Sequence, residues 1–413
     1  MERIAIIGSG IAGLAVAREL TRERGARSVT LFEAASHFGG HANTVDMALD
    51  GVTQGVDTGF LVYNERTYPR LIRLFAELGV ETVPSDMSFS VQARGHALEW
   101  SGSNLAGVFA QRRNLLRPAF WRMLADILRF NRVARGLAKR IDAATPEQTV
   151  GEFLDLHRFG REFRQWYFLP MIGCIWSCPS EQMLAFPVAT LIRFCHNHGL
   201  LQIADRPQWM TVRNGSRQYV RRIVERLDDA RLNTPVLGVT RSEAGALVSS
   251  ARAVEHFDEV VFACHTDQAL RLLGADARPA ETRVLGAIRY QPNRAVRHTD
   301  ASLLPSRRSA WAAWNYESSS SGGESRVCLH YLLNLLQPLP WQRPVIVSLN
   351  PLREPRAEAL RHVHGLATHQ RVDDQRHVLG LGTRDHVLEL AHQFVVDLQA
   401  PGGVEDHRVV AVR

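Results

Sequence analysis

Lysine is almost missing from this chain: of its 49 lysine and arginine residues only Lys139 is a lysine. A GC-rich bacterial genome produces such a bias, and it leaves a single side-chain amine for any chemistry that needs one. Cysteine is also scarce. Cys174, Cys178, Cys195, Cys264 and Cys328 are an odd, scattered set in a chain of 413 residues, too long to need disulfide staples, so a reducing cytoplasm is expected. No run of roughly 18 uninterrupted apolar residues occurs, so no membrane-spanning helix is expected. Met1 is followed by no basic leader, apolar core or cleavage site, so export is not expected either. The chain has no HExxH, no phosphate-binding GxxxxGK loop and no Ser/His/Asp set, which leaves metalloprotease, kinase and serine hydrolase readings without support.

Hydrophobic residues make up 45% and charged residues 22% of the sequence, the composition of an ordinary globular protein. The length exceeds what one hydrophobic core usually serves and predicts two intertwined domains. Against 42 acidic residues the basic set leaves a formal charge of +7, which favours anionic partners without choosing among phosphates, nucleic acid and anionic lipid.

The first 40 residues carry the clearest signal. Ile4-Ala5-Ile6-Ile7 is the apolar run of a strand buried on both faces, and it enters Gly8-Ser9-Gly10-Ile11-Ala12-Gly13 directly. The first glycine permits the tight bend, the second lets a pyrophosphate approach the backbone, and the third seats the helix on the sheet. That helix then offers its unpaired N–H groups to the diphosphate. A second strand, Val29 to Phe32, ends in Glu33, about 20 residues past Gly13, where an acid meets the adenosine ribose hydroxyls and repels a 2′-phosphate.

Further on come Phe38-Gly39-Gly40-His41 and Gly55-Val56-Asp57-Thr58-Gly59-Phe60. Most specifically over residues 4 to 60, and more loosely to about residue 350, the chain resembles the FAD-dependent amine oxidase and phytoene desaturase superfamily, and it is similar to the bacterial members described as predicted NAD/FAD-binding proteins. The resemblance implies an α/β fold class: a Rossmann-type FAD-binding domain, three-layered around a mostly parallel sheet, interleaved with an α+β substrate domain. It implies FAD bound by Gly8, Ser9, Gly10, Ile11, Ala12, Gly13, Glu33, Ala34, Gly39, Gly40, His41, Thr58, Gly59, Phe60, Val236 and Ala263. His41 stands where members usually carry arginine. The implied segments are 1–75 and 211–268 for the cofactor, 76–210 (largely helical) and 269–350 (mainly strands) for the substrate, and a divergent tail, 351–413. An NAD-dependent dehydrogenase is disfavoured by the glycine pair and the Asp57-x-Gly59 segment.

Two features depart from that pattern. The lysine that many amine oxidases hold near the flavin has no counterpart, since Lys139 falls in a basic helical stretch. Desaturation, saturation or isomerisation of an apolar, lipid-like small molecule therefore fits better than amine oxidation, with no nucleic-acid partner expected. The glycine-rich closing segment that should open a last, flavin-holding helix is absent after Pro351. From His362 onward the composition shifts toward histidine, with Phe394 the single aromatic residue. A frameshifted or divergent tail, poorly ordered, would lower flavin affinity, and a non-catalytic flavin-fold protein is the alternative function.

Other residues carry weaker signals. Leu105 to Ile141 is largely helical in pattern and mixes arginines with large apolar residues, which suits either a solvated face or peripheral contact with an anionic inner-membrane surface. Cys174 and Cys178 would share a helix face, as a packed pair more readily than as a redox or metal pair. His196 and His198 have no assigned role. Trp314 and Tyr316 share one side of a strand, where they would pack in a core or wall a flat or apolar substrate. No catalytic residue and no metal ligand is assigned.

Overall fold

The computed structural model describes residues 1–22, 25–140, 148–176, 180–203, 205–318, 328–370 and 410–412. Its first sheet runs, edge to edge, Asp229–Arg231, Arg27–Phe32, Glu2–Ile7, Glu259–Phe262 and Val410–Val412. The first four strands are parallel and the last is antiparallel. The apolar run at Ile4–Ile7 is needed because the central strand is covered on both sides. Ile4, Ile6, Leu31 and Val261 pack under helices Ile11–Leu20 and Arg217–Val224, in one core with Leu14, Tyr219 and Ile223. Ala5, Ile7, Phe32, Val260 and Phe262 face the opposite way, onto an antiparallel sheet of Val236–Ser242, Gly245–Ser250 and Val254–Phe257. Helices, parallel sheet and antiparallel sheet make the three layers, and the α/β architecture is as expected.

A second, seven-stranded sheet has the order Leu360–Gln370, Arg289–His298, Ile346–Leu349, Cys328–Leu332, Trp314–Ser318, Phe89–Ala93 and Leu98–Ser101. All its pairings are antiparallel except Trp314–Ser318 with Phe89–Ala93. Because side chains alternate along a strand, the register sorts them into two unlike faces. Val91, Trp100, Trp314, Tyr316, Leu329, Tyr331, Val347 and Leu349 form the apolar face and belong to the largest core. Ser90, Asn315, His330 and Ser348 line up across the other face, and all four are buried.

The stretch 105–140 is largely helical, as expected, but in three pieces. It forms a short helix, Leu105–Val108, a 3-10 turn, Arg112–Leu116, and a long helix, Pro118–Ala138. Pro118 imposes the break: it has no N–H, and it holds Arg117 in an extended conformation, φ −99° and ψ 107°. The tail also differs from expectation in part, because Leu360–Gln370 is an edge strand that pairs along the whole of Arg289–His298. The backbone donors and acceptors on the free edge of that strand supply the template. The rest of the tail, 371–409, lies outside the described residues. Three expected segment boundaries fall inside elements: 75/76 in helix Pro69–Leu78, 210/211 in strand Trp209–Val212 and 268/269 in helix Thr266–Leu273. No helix among the described residues is long and apolar enough to cross a membrane.

Candidate functional site

The chain leaves the centre of the parallel sheet at Gly8, where φ is +105°. A β-carbon on Gly8 would stand 2.6 Å from the Ala263 carbonyl oxygen, and one on Gly13 would stand 1.9 Å from the Gly8 carbonyl oxygen. Only glycine fits either position. The close approach lets helix Ile11–Leu20 start directly beyond the strand, with Ile11 and Ala12 packed in the helix-side core. Gly10 caps that helix without any side-chain hydrogen bond to the first turn. Its leading N–H groups are left for an acceptor beyond the turn, the geometry that holds a diphosphate.

Glu33 closes the far side of the turn. Its carboxylate accepts from the Ser9 N–H at 3.0 Å, the Ser9 hydroxyl at 2.5 Å and the Ala35 N–H at 2.8 Å. A carboxylate has about four acceptor positions, so one remains for a ribose hydroxyl. Ala34 beside it is exposed. The Glu33 carbonyl accepts from the Thr234 N–H at 2.9 Å, and Val236, two residues on, packs on the core that holds Ile7 and Phe32.

The glycine pair lies against the same turn. Gly39 bridges to Gly10, and its N–H donates to the Ser9 carbonyl at 3.1 Å. The half-buried His41 offers its carbonyl to the Phe60 N–H at 2.9 Å, and Thr58 donates its N–H to Asn43 at 3.0 Å. The structure gathers the sequence-predicted residues 8–13, 33, 39–41 and 263 around one turn, ties 58–60 to it through His41 and Asn43, and leaves Ala34 exposed beside Glu33, whereas Val236 packs against the core beneath.

Asp57 ties this cradle to the rest of the molecule. Its side chain is 1% exposed, and its carboxylate accepts from the Thr44 hydroxyl at 2.5 Å, the Ser216 N–H at 2.9 Å, the Ser216 hydroxyl at 2.8 Å and the Gln337 amide at 2.8 Å. The Asp57 N–H returns a bond to the Gln337 side-chain oxygen at 3.0 Å. Thr44 in turn accepts from the Arg217 N–H at 2.9 Å, and Arg217 pairs with Asp46. Burial pushes the Asp57 carboxyl up to about 6, against the opposing pull of these donors. Thr44, Ser216 and Gln337 were not singled out from the sequence as site residues. They stand 13, 159 and 280 positions from Asp57, and the one available clue was the Asn214-Gly215-Ser216-Arg217 turn before a helix.

The remaining candidates fall elsewhere. His198 is buried, bonds the Phe194 carbonyl at 2.9 Å and stacks on the Phe194 ring, whereas His196 is half-buried on helix Val188–Asn197. Cys174 is buried, and burial holds its thiol well above the ordinary range, the behaviour of a packed hydrophobe. Cys178 lies outside the described residues. Lys139 is exposed at the end of helix Pro118–Ala138. Trp314 and Tyr316 do share a face, buried in the largest core, and the Trp314 indole N–H is buried without a hydrogen-bond partner.

A second buried cluster escaped the sequence reading because its members come from separate strands. On the polar face of the seven-stranded sheet, the Asp300 N–H donates to His298 Nδ1 at 3.1 Å. A backbone N–H is a fixed donor, so in neutral His298 the proton sits on Nε2 and goes to Ser348 Oγ at 2.6 Å. Ser348 then donates to His330 Nδ1 at 2.6 Å, and His330 Nε2 donates to Glu317 at 3.0 Å. Burial, with His330 beside it, pulls His298 down to about 4, which keeps it neutral. Burial alone would raise the Glu317 carboxyl, but His330 and Arg94 hold it below its ordinary value. Glu317, Cys328 and His330 also place three metal-binding atoms within 4.8 Å of one another. The His330 Nε2 proton is committed to Glu317, and burial holds the Cys328 thiol proton firmly in place, so an ion would have to displace both.

Fold and turn together define a dinucleotide-binding α/β protein. The family model of flavin-containing amine oxidoreductases matches residues 11–301, and the chain belongs to that family. FAD is the cofactor this membership implies, and the cradle fits its adenosine diphosphate half: glycines that admit no side chain, open helix amides and a free acceptor position on Glu33. The Mycobacterium tuberculosis protein AofH, described as a flavin-containing monoamine oxidase, is 29% identical over 262 residues, 60% of this chain and 53% of AofH. The chain thus matches about half the length of that relative. Cyclohexylamine oxidase from Brevibacterium oxydans superposes with a TM-score of 0.62 at 16% identity, over 89% of this chain and 84% of its own. A fatty acid isomerase from P. acnes gives 0.59 at 14% identity, over 96% and 81%.

Two groups set opposed pH dependences. The raised Asp57 value removes stability as pH climbs from 3.8 to about 6, because the folded state binds the extra proton there. The lowered His298 value removes stability as pH falls from 6.5 to about 4. Each shift is of order 3 kcal/mol and they largely cancel. Urea midpoints between pH 4 and 7 should show Asp57→Asn losing stability on acidification and His298→Gln losing it as pH rises. Parallel curves for both variants and the parent chain would refute the assignment. Gln337→Ala, which strips two hydrogen bonds from Asp57, should cost about 1–3 kcal/mol by urea unfolding; an unchanged midpoint would deny the contact its weight.

Proposed function

We propose that the chain is an FAD-dependent oxidoreductase that moves a hydride between carbon of an apolar, lipid-like small molecule and the flavin. The observation that carries this reading is the apolar sheet face of Trp314, Tyr316, Tyr331, Val347 and Leu349, combined with a lysine inventory of one residue, exposed at the end of helix Pro118–Ala138. An amine substrate would need a polar, proton-accepting setting, and that wall is mostly packing surface, its polar atoms being the Trp314 indole N–H and the hydroxyls of Tyr316 and Tyr331.

FAD, when bound, supplies the redox chemistry. Gly8, Ser9, Gly10, Ile11, Ala12 and Gly13 would hold its diphosphate, Glu33 and Ala34 its ribose, Val236 and Ala263 the adenine side, and Gly39, Gly40, His41, Thr58, Gly59 and Phe60 the stretch toward the ring. Asp57, one residue before Thr58, positions that last segment through Ser216 and Gln337 rather than touching the cofactor. The aromatic wall excludes water and orients an acyl-like chain. A substrate of this kind is met at a bilayer, so peripheral contact with an anionic membrane is part of the proposal. The fold shared with a fatty acid isomerase supports the apolar side of the reading and the kinship with AofH supports the redox side.

A second reading has its own observation: no glycine-rich closing segment follows Pro351 in the sequence. On that reading the chain keeps the cradle and has no turnover.

Anaerobic incubation of flavin-loaded protein with long-chain fatty acids and with alkylamines separates the cases. Bleaching of the flavin, or a lipid product altered by two hydrogens or by double-bond position, is expected with the fatty acids alone. Reduction by amines would overturn the substrate class, and inertness toward both would favour the second reading. For the cradle, Glu33→Ala should weaken FAD binding about 10- to 100-fold, the value of a charge-assisted hydrogen bond, and Gly13→Val should abolish it. Wild-type affinity in either variant, measured by fluorescence quenching on FAD titration, would place the cofactor elsewhere.

A further inference from the structure

The break at Pro118 exposes more than a change of helix direction. The short helix Leu105–Val108, the turn Arg112–Leu116 and the start of helix Pro118–Ala138 carry large apolar side chains into solvent: Leu105 is 78% exposed, Leu115 47%, Leu116 88% and Trp121 48%. They form one patch. The Trp121 indole N–H donates to the Leu115 carbonyl at 2.9 Å, and the Phe109 ring lies 5.5 Å from the Trp121 ring. Phe109 in turn donates its N–H to Leu105 at 3.0 Å. Such a cluster of exposed apolar residues marks a contact surface, since single exposed leucines are ordinary but contiguous ones are not.

The charge carried by the segment itself has one sign. Residues 105–125 include Arg112, Arg113, Arg117 and Arg122 and no acidic residue. Arg122 is paired with Glu162, and Arg117 lies over the Trp166 ring. Arg112 and Arg113, both exposed, have no acidic partner among the described residues, Arg113 reaching only the Ala97 carbonyl. The long helix continues the pattern. Trp121, Ala125, Leu128, Arg132 and Arg135 follow one another at spacings of three and four, on one stripe of the helix, and all five are exposed. Arg129, off that stripe, is instead occupied by Asp126, the carbonyls of His157 and Arg158 and the face of Phe159.

We propose that this tip and stripe dock the protein on an anionic bilayer, with Leu105, Leu115, Leu116 and Trp121 inserted at the interface and Arg112, Arg113, Arg132 and Arg135 set among lipid phosphates. Burying leucine and tryptophan side chains supplies the apolar term, and each arginine near an anionic surface adds a further increment. The inference rests on the apolar-substrate reading for its purpose, but its geometry stands on the patch alone.

Co-sedimentation of the full chain with phosphatidylcholine vesicles, with and without phosphatidylglycerol, tests it. Binding is expected with the anionic vesicles, falling as salt is raised. Leu115→Ser with Leu116→Ser should weaken it at least tenfold, and Arg112→Gln with Arg113→Gln about fivefold per charge removed. All four positions are exposed, so both variants should keep the parent melting temperature and flavin content. Equal binding to neutral vesicles, no binding, or full binding by both variants would overturn the proposal. So would a dimer in sedimentation velocity that the leucine variant dissociates, since a second copy would then be the occupant. Turnover of detergent-dispersed fatty acid reports on the substrate class separately: its absence leaves docking standing, and failed docking leaves turnover standing.

Discussion

Much of this structure is arranged around one buried carboxylate. Asp57 leaves the strand Val52–Asp57 and is met by Thr44 from the neighbouring strand, by Ser216 at the head of helix Arg217–Val224 and by Gln337 from the second sheet's region. Four donors converge on a group that burial would otherwise neutralise, and only their combined pull leaves its carboxyl near 6. An unpartnered charge at such a depth would cost several kcal/mol. The bonds therefore hold segments together that are separated in sequence by most of the chain, and Thr58, Gly59 and Phe60 take their positions from the residue before them.

The cradle follows a different logic, in which backbone does the recognising and side chains are kept away. Gly8 and Gly13 are fixed by carbonyl oxygens that leave no room for a β-carbon. Ser9 fills the turn from within, holding Glu33 at one end and Gly39 at the other. The glycine turn, the acid and the glycine pair thus form one hydrogen-bonded unit before any ligand arrives, which lowers the ordering cost of binding.

What could be read from the sequence was what is local. The strand, turn, helix and second strand of residues 2–33 are contiguous, and their apolar spacing and glycines state the geometry outright. The alternation of Trp314 and Tyr316 gave their common face. The helical pattern around Pro118 was legible too, while the place of the break that Pro118 makes was not assigned. Partners such as Ser216 and Gln337 were beyond sequence reasoning, because a serine and a glutamine have no signature until the fold sets them beside Asp57. The same holds for His298, His330, Ser348 and Glu317, each unremarkable on its own strand and linked only by the register of the sheet.

On this structure the cradle binds FAD in the chain as it stands, including the tail after Pro351. The absorbance spectrum of the purified protein, with the flavin released and quantified against chain concentration, tests it most directly. A yellow protein holding about one FAD per chain, or acquiring it on addition of FAD, is the predicted result. A colourless protein that takes up no added FAD would contradict it.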